Sequence, residues 1–167
     1  MEFTIKFVVL MLGILFTGLT AGLYFTWSNA ITPGISRLDN VTFLKAIQQM
    51  NRTILNPLFF IVFFGPFFLS LFNFYVLRNS SSSLILLLIF AALIYVIGVI
   101  LITIFGNVPL NEILDKTDLV SASSENLKAL RDIFETKWNR LHLIRTISSI
   151  ASFLLLIMSL IQIIKEN

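Results

Sequence analysis

The sequence predicts an all-α protein: a four-transmembrane-helix bundle, with a short amphipathic helix between helices one and two and a long fourth helix extending out of the membrane. Three observations lead there. Four long apolar stretches, residues 5–27, 57–77, 84–105 and 143–164, take up more than half of the 167 residues, and each is close to the ~20 residues that a helix needs to cross ~30 Å of hydrocarbon. Within them only Lys6 and Arg145 carry a full charge. The runs are continuous rather than alternating, which suits helices and not barrel strands, the other way to pair every backbone group in lipid. Composition agrees: the chain is 57% hydrophobic, its mean hydropathy is +0.92, and 17 Phe are too many for a soluble core of 19.0 kDa to hide. One bundle accounts for the length, so residues 1–167 read as a single membrane domain.

Helix one is longer than the apolar core of a signal peptide and lacks a clearly basic leader, so it reads as a retained span. It carries Gly18-Leu19-Thr20-Ala21-Gly22, a spacing of small residues that lets another helix approach closely. It ends at Trp27-Ser28-Asn29, where an indole suits the membrane interface, and Pro33-Gly34 then breaks the chain. Asp39 or Asn40 caps a short helix over residues 41–55. Phe43, Ile47, Met50 and Ile54 form its apolar face, with Gln48, Asn51 and Arg52 on other faces, so it lies against the bundle or along the interface. Asn56-Pro57 ends it and opens helix two. Gly65-Pro66 predicts a kink there, because proline removes a backbone donor. The polar turn 78–83 makes helices two and three antiparallel neighbours. Helix three carries Tyr95, Gly98 and Thr103 and then meets Gly106-Asn107-Val108-Pro109-Leu110-Asn111. From Val120 onward there is neither Gly nor Pro. Ser123 or Ser124 caps helix four, Glu125 suits its first turn, and Leu127, Leu130, Phe134, Trp138 and Leu141 mark one face. Helix four therefore starts well outside the hydrocarbon and runs on into it, about 40 residues and ~60 Å if unbroken.

Charge excludes some functions and sets a topology. The net charge is +3, but the 12 Lys and Arg are interleaved with 9 Asp and Glu and form no basic stripe with aromatics, so no nucleic-acid partner is expected. Arg37, Lys45, Arg52, Lys116, Lys128, Arg131, Lys137, Arg140 and Arg145 lie in or beside the two longer loops; Lys6, Arg78 and Lys165 lie on the other side. That bias places the longer loops in the cytoplasm and the termini outside, with a bacterial inner (plasma) membrane as the expected location. With no Cys and one His, disulfides, thiolate chemistry and iron–sulfur clusters drop out, and a metal site or haem is disfavoured. No metal and no cofactor is expected. The lipid bilayer is the first partner, and four spans leave room for a homo-oligomer.

Most of the unusual polar residues lie at one end of the bundle: Trp27, Asn29, Gln48, Asn51, Asn56, Asn107, Asn111, Glu135, Trp138, Asn139, His142 and Arg145. The sharpest part is Glu135, Trp138, His142 and Arg145, whose steps of three, four and three put them on one helical stripe. His142 is the natural general base, and Arg145 is a permanent cation able to bind an oxyanion or hold a carboxylate. The bland reading stands beside this one. Trp, His and Arg are ordinary interfacial anchors, and Asn107 and Asn111 suit capping and interhelical hydrogen bonding.

Several stretches resemble a known family. Gly18–Gly22 followed by Trp27-Ser28-Asn29-Ala30-Ile31-Thr32-Pro33-Gly34 is similar to the first-helix signature of the anthrone oxygenase family of small integral membrane proteins. Gln48-Gln49-Met50-Asn51 with Asn56-Pro57 resembles its second motif. Asn107-Val108-Pro109-Leu110-Asn111 is the most specific match, and residues 134–146, with Trp138, Asn139, His142, Arg145 and Thr146, resemble its closing block. Fungal members oxidise anthrones to anthraquinones with molecular oxygen, without metal or flavin. The resemblance therefore implies a cofactor-free monooxygenase acting on a small lipophilic aromatic, anthrone- or quinol-like. His142, Arg145, Asn107 and Asn111 would be catalytic. Trp27, Asn29, Asn51, Asn56, Trp138 and Asn139 would bind substrate. The alternative is a non-catalytic membrane binding or assembly protein. A pocket reaching His142 favours chemistry; a filled, flat face favours assembly.

Overall fold

A computed structural model describes residues 5–166. They form five helices: α1 (Ile5–Ile35), α2 (Asn40–Ile54), α3 (Pro57–Leu77), α4 (Ser82–Lys116) and α5 (Ser124–Glu166). All but α2 are long and apolar enough to cross a membrane. Only 22% of the most apolar window of α3 is buried inside the fold, and large apolar side chains such as Phe68, Leu71, Phe72 and Phe74 face outward, which a protein in water does not tolerate on this scale. This is an integral membrane protein. Helix α5 runs unbroken for 43 residues, as the absence of Gly and Pro after Val120 predicts.

Two helix ends lie further on than the sequence reading places them. The apolar runs end at Trp27 and Phe105, and Pro33-Gly34 reads as a break after the first, yet α1 continues to Ile35 and α4 to Lys116. Each passes its proline through a widened turn of π-helix. Trp27–Ile31 precedes Pro33, with Thr32 N–H reaching the carbonyl of Trp27. Thr103–Asn107 precedes Pro109, with Val108 N–H reaching the carbonyl of Thr103. In a regular helix the proline ring collides with the carbonyl four residues back; the extra residue in the turn relieves that contact and keeps the helix going.

Helix α3 likewise runs on through Pro66. The carbonyl that Pro66 leaves without its usual donor is that of Val62, and the Thr20 hydroxyl of α1 reaches it at 3.0 Å. Tyr95 of α4 donates to the neighbouring carbonyl of Phe63 at 2.7 Å and sits 3.3 Å from Thr20. The orphaned carbonyl of Val62 is thereby satisfied from α1, and the carbonyl beside it receives a second donor from α4.

Helix α1 packs on α3 and α5, and α4 packs along α5. The α4–α5 approach is close because Gly98 lies against the side chain of Ser148 and the Ser152 hydroxyl donates to the carbonyl of Ala91 at 2.9 Å. Of the expected small pair on α1, Gly18 sits under Phe153 of α5, while nothing packs over Gly22. Helices α3 and α4 touch near their joining turn and part towards the other end. Helix α2 closes that end. Asp39 caps it through the Thr42 N–H at 3.0 Å, and hydrogen bonds from Thr42 hold its carboxyl below the usual carboxylate range. The buried face of α2, Phe43, Leu44 and Ile47, packs on Leu114 of α4 and on Leu127, Phe134 and Trp138 of α5. Gln48 fastens it by donating to the carbonyl of Leu114 at 2.7 Å. The amphipathic helix thus lies against the bundle.

Candidate functional site

Where α3 and α4 part, under α2, lies a cavity of about 410 Å³ to which all five helices contribute. Helix α1 lines it with Leu23, Tyr24 and Trp27, and α3 with Phe59, Phe60, Phe63 and Phe64. Asn51, Arg52, Ile54 and Leu55 of α2 form its roof. Helix α4 adds Thr103, Ile104, Val108, Asn111, Glu112 and Asp115, and α5 adds Trp138, His142 and Arg145. The wall is mostly aromatic and aliphatic. Its polar groups sit in two places: an inner group around Arg145 and an outer rim where Arg52 and Asp115, both half-exposed, pair at 2.6 Å.

The inner group is built on the predicted stripe. One turn apart on α5, the rings of Trp138 and His142 stack at 4.8 Å with planes 15° apart. Trp27 tilts against Trp138 at 5.6 Å, and Tyr24 stands edge-on to His142 at 5.5 Å. The Arg145 guanidinium lies over Tyr24 and Trp138, 4.9 and 5.3 Å from the ring centres, within the range of cation–π attraction. Its Nη2 donates to His142 Nδ1 at 2.9 Å and its Nη1 to the Thr103 hydroxyl at 3.3 Å. His142 Nε2 is 3.2 Å from the carbonyl of Tyr24. A guanidinium can only donate and a carbonyl can only accept, so the partners define a neutral imidazole with its proton on Nε2. Both ring nitrogens are engaged.

Arg145 is 6% exposed, and among the described residues it is the one buried Lys or Arg. No carboxylate pairs with it among the described residues, and its Nε has no partner. Glu135, at the outer end of the stripe and seven residues before His142, is turned away to Arg131 at 2.9 Å. A buried charge is normally paired, because removing it from water costs several kcal/mol. Here aromatic faces and neutral acceptors surround the guanidinium in place of a carboxylate.

The cavity brings together Trp27, Asn51, Asn111, Trp138, His142 and Arg145. Asn111 accepts from Trp138 Nε1 at 2.9 Å and so fixes the indole. Asn107 is 1% exposed and donates to the carbonyl of Trp138 at 3.4 Å; it lies outside the lining. Asn56 caps α3 through the Phe59 N–H and lines a shallower neighbouring hollow with Trp27. Asn29 is exposed, and Asn139 is half-buried outside the lining. Sequence reasoning missed Tyr24 and Thr103, which in the sequence are two more residues inside apolar runs. Their only signal is polarity at a depth where polarity is costly.

The anthrone oxygenase family model matches residues 57–155, taking in α3, α4 and most of α5 with Asn107, Asn111, Trp138, Asn139, His142 and Arg145. Tyr24, Trp27 and Asn51 lie before the match. No curated protein and no solved structure matches the chain. With more than half of its length matched and the helices that carry the Trp138–His142–Arg145 stripe included, the chain belongs to the anthrone oxygenase family.

Proposed function

We propose that this protein oxidises a lipophilic aromatic of the anthrone or quinol type with molecular oxygen, without metal or flavin, in the cavity between α3 and α4. The observation that carries this reading is Arg145, a buried cation lacking a carboxylate at the inner end of an aromatic-walled cavity. A substrate that becomes an anion supplies what Arg145 lacks. For anthrone the balance is C14H10O + O2 → C14H8O2 + H2O. A C–H flanked by two aryl rings loses a proton, and the charge moves onto the ring oxygen as an enolate. The enolate passes an electron to O2, the two radicals join in a C–O bond, and a returning proton completes a hydroperoxide. Loss of water then leaves the quinone.

The residues divide this work. The indoles of Trp27 and Trp138 and the phenylalanines of α3 hold a flat ring system. Arg145 takes the carbonyl oxygen of the neutral ketone, which draws its Nη2 from His142 and releases Nδ1 as the base that accepts the carbon-bound proton; the same guanidinium then holds the enolate oxygen that forms. Asn111 keeps Trp138 in place. The bilayer dissolves both the aromatic and O2. In the test, detergent-solubilised protein receives anthrone under air with a metal chelator present. One O2 consumed per anthraquinone formed is expected, with Arg145→Gln slower by about 10²-fold or more. A wild-type rate equal to that of heat-denatured protein, or an unchanged rate in Arg145→Gln, overturns the reading.

A further inference from the structure

Two tyrosines are buried in the membrane-spanning part of the fold, and they are treated differently. Tyr95, 2% exposed, donates to the carbonyl of Phe63 and lies within reach of Thr20. Tyr24, 4% exposed, lines the cavity, and its hydroxyl has no hydrogen-bond partner, although it lies beside Arg145 and Thr103. The rest of Tyr24 is fully used. Its carbonyl is the partner of His142 Nε2, its ring face lies under the Arg145 guanidinium, and its edge meets the imidazole. An orphaned buried hydroxyl is destabilising, and phenylalanine would fill the same space without it. Arg145 and Thr103 are its polar neighbours, yet neither meets the hydroxyl in hydrogen-bond geometry.

We propose that the Tyr24 hydroxyl is a substrate-contacting group: it donates a hydrogen bond to the ligand oxygen that Arg145 also holds, so that cation and phenol together form one oxyanion seat. The proposal rests on the reading of the cavity as the place of an oxygen-bearing aromatic, and it narrows the ligand. The ring must carry a carbonyl, enol or phenol oxygen at the end that enters first. Oxygen-free rings of the same shape gain nothing from Tyr24.

Binding without turnover tests this. The chain has 2 Trp, and both line the cavity, so quenching of intrinsic fluorescence reports occupancy. Anthrone and anthracene, alike in shape and differing in the oxygen, are titrated into detergent-solubilised protein with O2 excluded. The wild type is expected to favour anthrone. Tyr24→Phe is expected to bind anthrone about tenfold more weakly, the weight of one hydrogen bond to a charged oxygen. Its anthracene affinity and its unliganded unfolding temperature should not fall. Unchanged anthrone affinity, an equal loss for both ligands, or no binding of either ligand to the wild type overturns the proposal. Oxidation is absent from the experiment. A protein that binds in this pattern but forms no quinone under air refutes the oxygenase reading and leaves the Tyr24 assignment standing.

Discussion

Arg145 Nη2 donates to His142 Nδ1 across 2.9 Å, which makes the buried guanidinium and the chain's single imidazole one unit. An anchoring arginine at a helix end reaches out to headgroups. This one is folded inward over Tyr24 and Trp138. The consequence for function is an order of events: nothing can be deprotonated by Nδ1 until a ligand oxygen has taken its donor.

Arg145→Met separates stability from function. Replacing a buried, incompletely paired cation by an apolar side chain of similar length is neutral or stabilising by about 1–4 kcal/mol. Unfolding temperature in detergent should hold or rise, while quinone formation falls by about 10²–10³-fold. A large drop in unfolding temperature would mark Arg145 as an anchor.

His142→Gln retains an acceptor for Arg145 and a donor for the Tyr24 carbonyl, but it cannot take a proton near neutrality. Anaerobic binding of anthrone should therefore survive while turnover falls by about 10²–10⁴-fold. Equal losses in binding and turnover would assign His142 to positioning alone.

Thr20→Val removes the hydroxyl that reaches the carbonyl left open by Pro66. Leaving that carbonyl unsatisfied costs about 1–3 kcal/mol, read as a lower unfolding temperature. Turnover per folded molecule should not change, because Thr20 lies outside the cavity wall.

Much of the architecture was legible because lipid simplifies the code. A run of some twenty apolar residues has few other uses, and the absence of Gly and Pro after Val120 was enough to give α5 its length. Helix ends were harder. Pro33 reads as a break and the apolar run before Pro109 stops at Phe105, and only the register of the preceding turn, set by packing, decides whether a widened turn carries the helix past each proline. The stripe Trp138, His142, Arg145 was visible in its spacing. The orientation of the asparagines was not: Asn56 in a cap, Asn29 at the surface and Asn111 on an indole all look alike in sequence. Tyr24 was invisible for a related reason, since its role depends on which hydroxyl is left without a partner, and that is a property of the assembled helices.

Gly98→Ala tests the packing that holds α4 to α5. A Cβ there meets the Ser148 side chain, and overpacking of this kind costs about 1–3 kcal/mol. Adding Ser148→Gly should recover most of the lost unfolding temperature, because the two positions share the contact. Additive losses would contradict the close approach.

The most direct measurement is an experimental structure of the protein with a hydroxylated anthraquinone, a stable product-like ligand, bound under non-turnover conditions. The expected result is a ring system between Trp27, Trp138 and the α3 phenylalanines, with one ligand oxygen about 2.7–3.2 Å from the Arg145 guanidinium. A ligand bound outside the cavity, or Arg145 paired instead with a lipid phosphate while the cavity stays empty, would contradict the account.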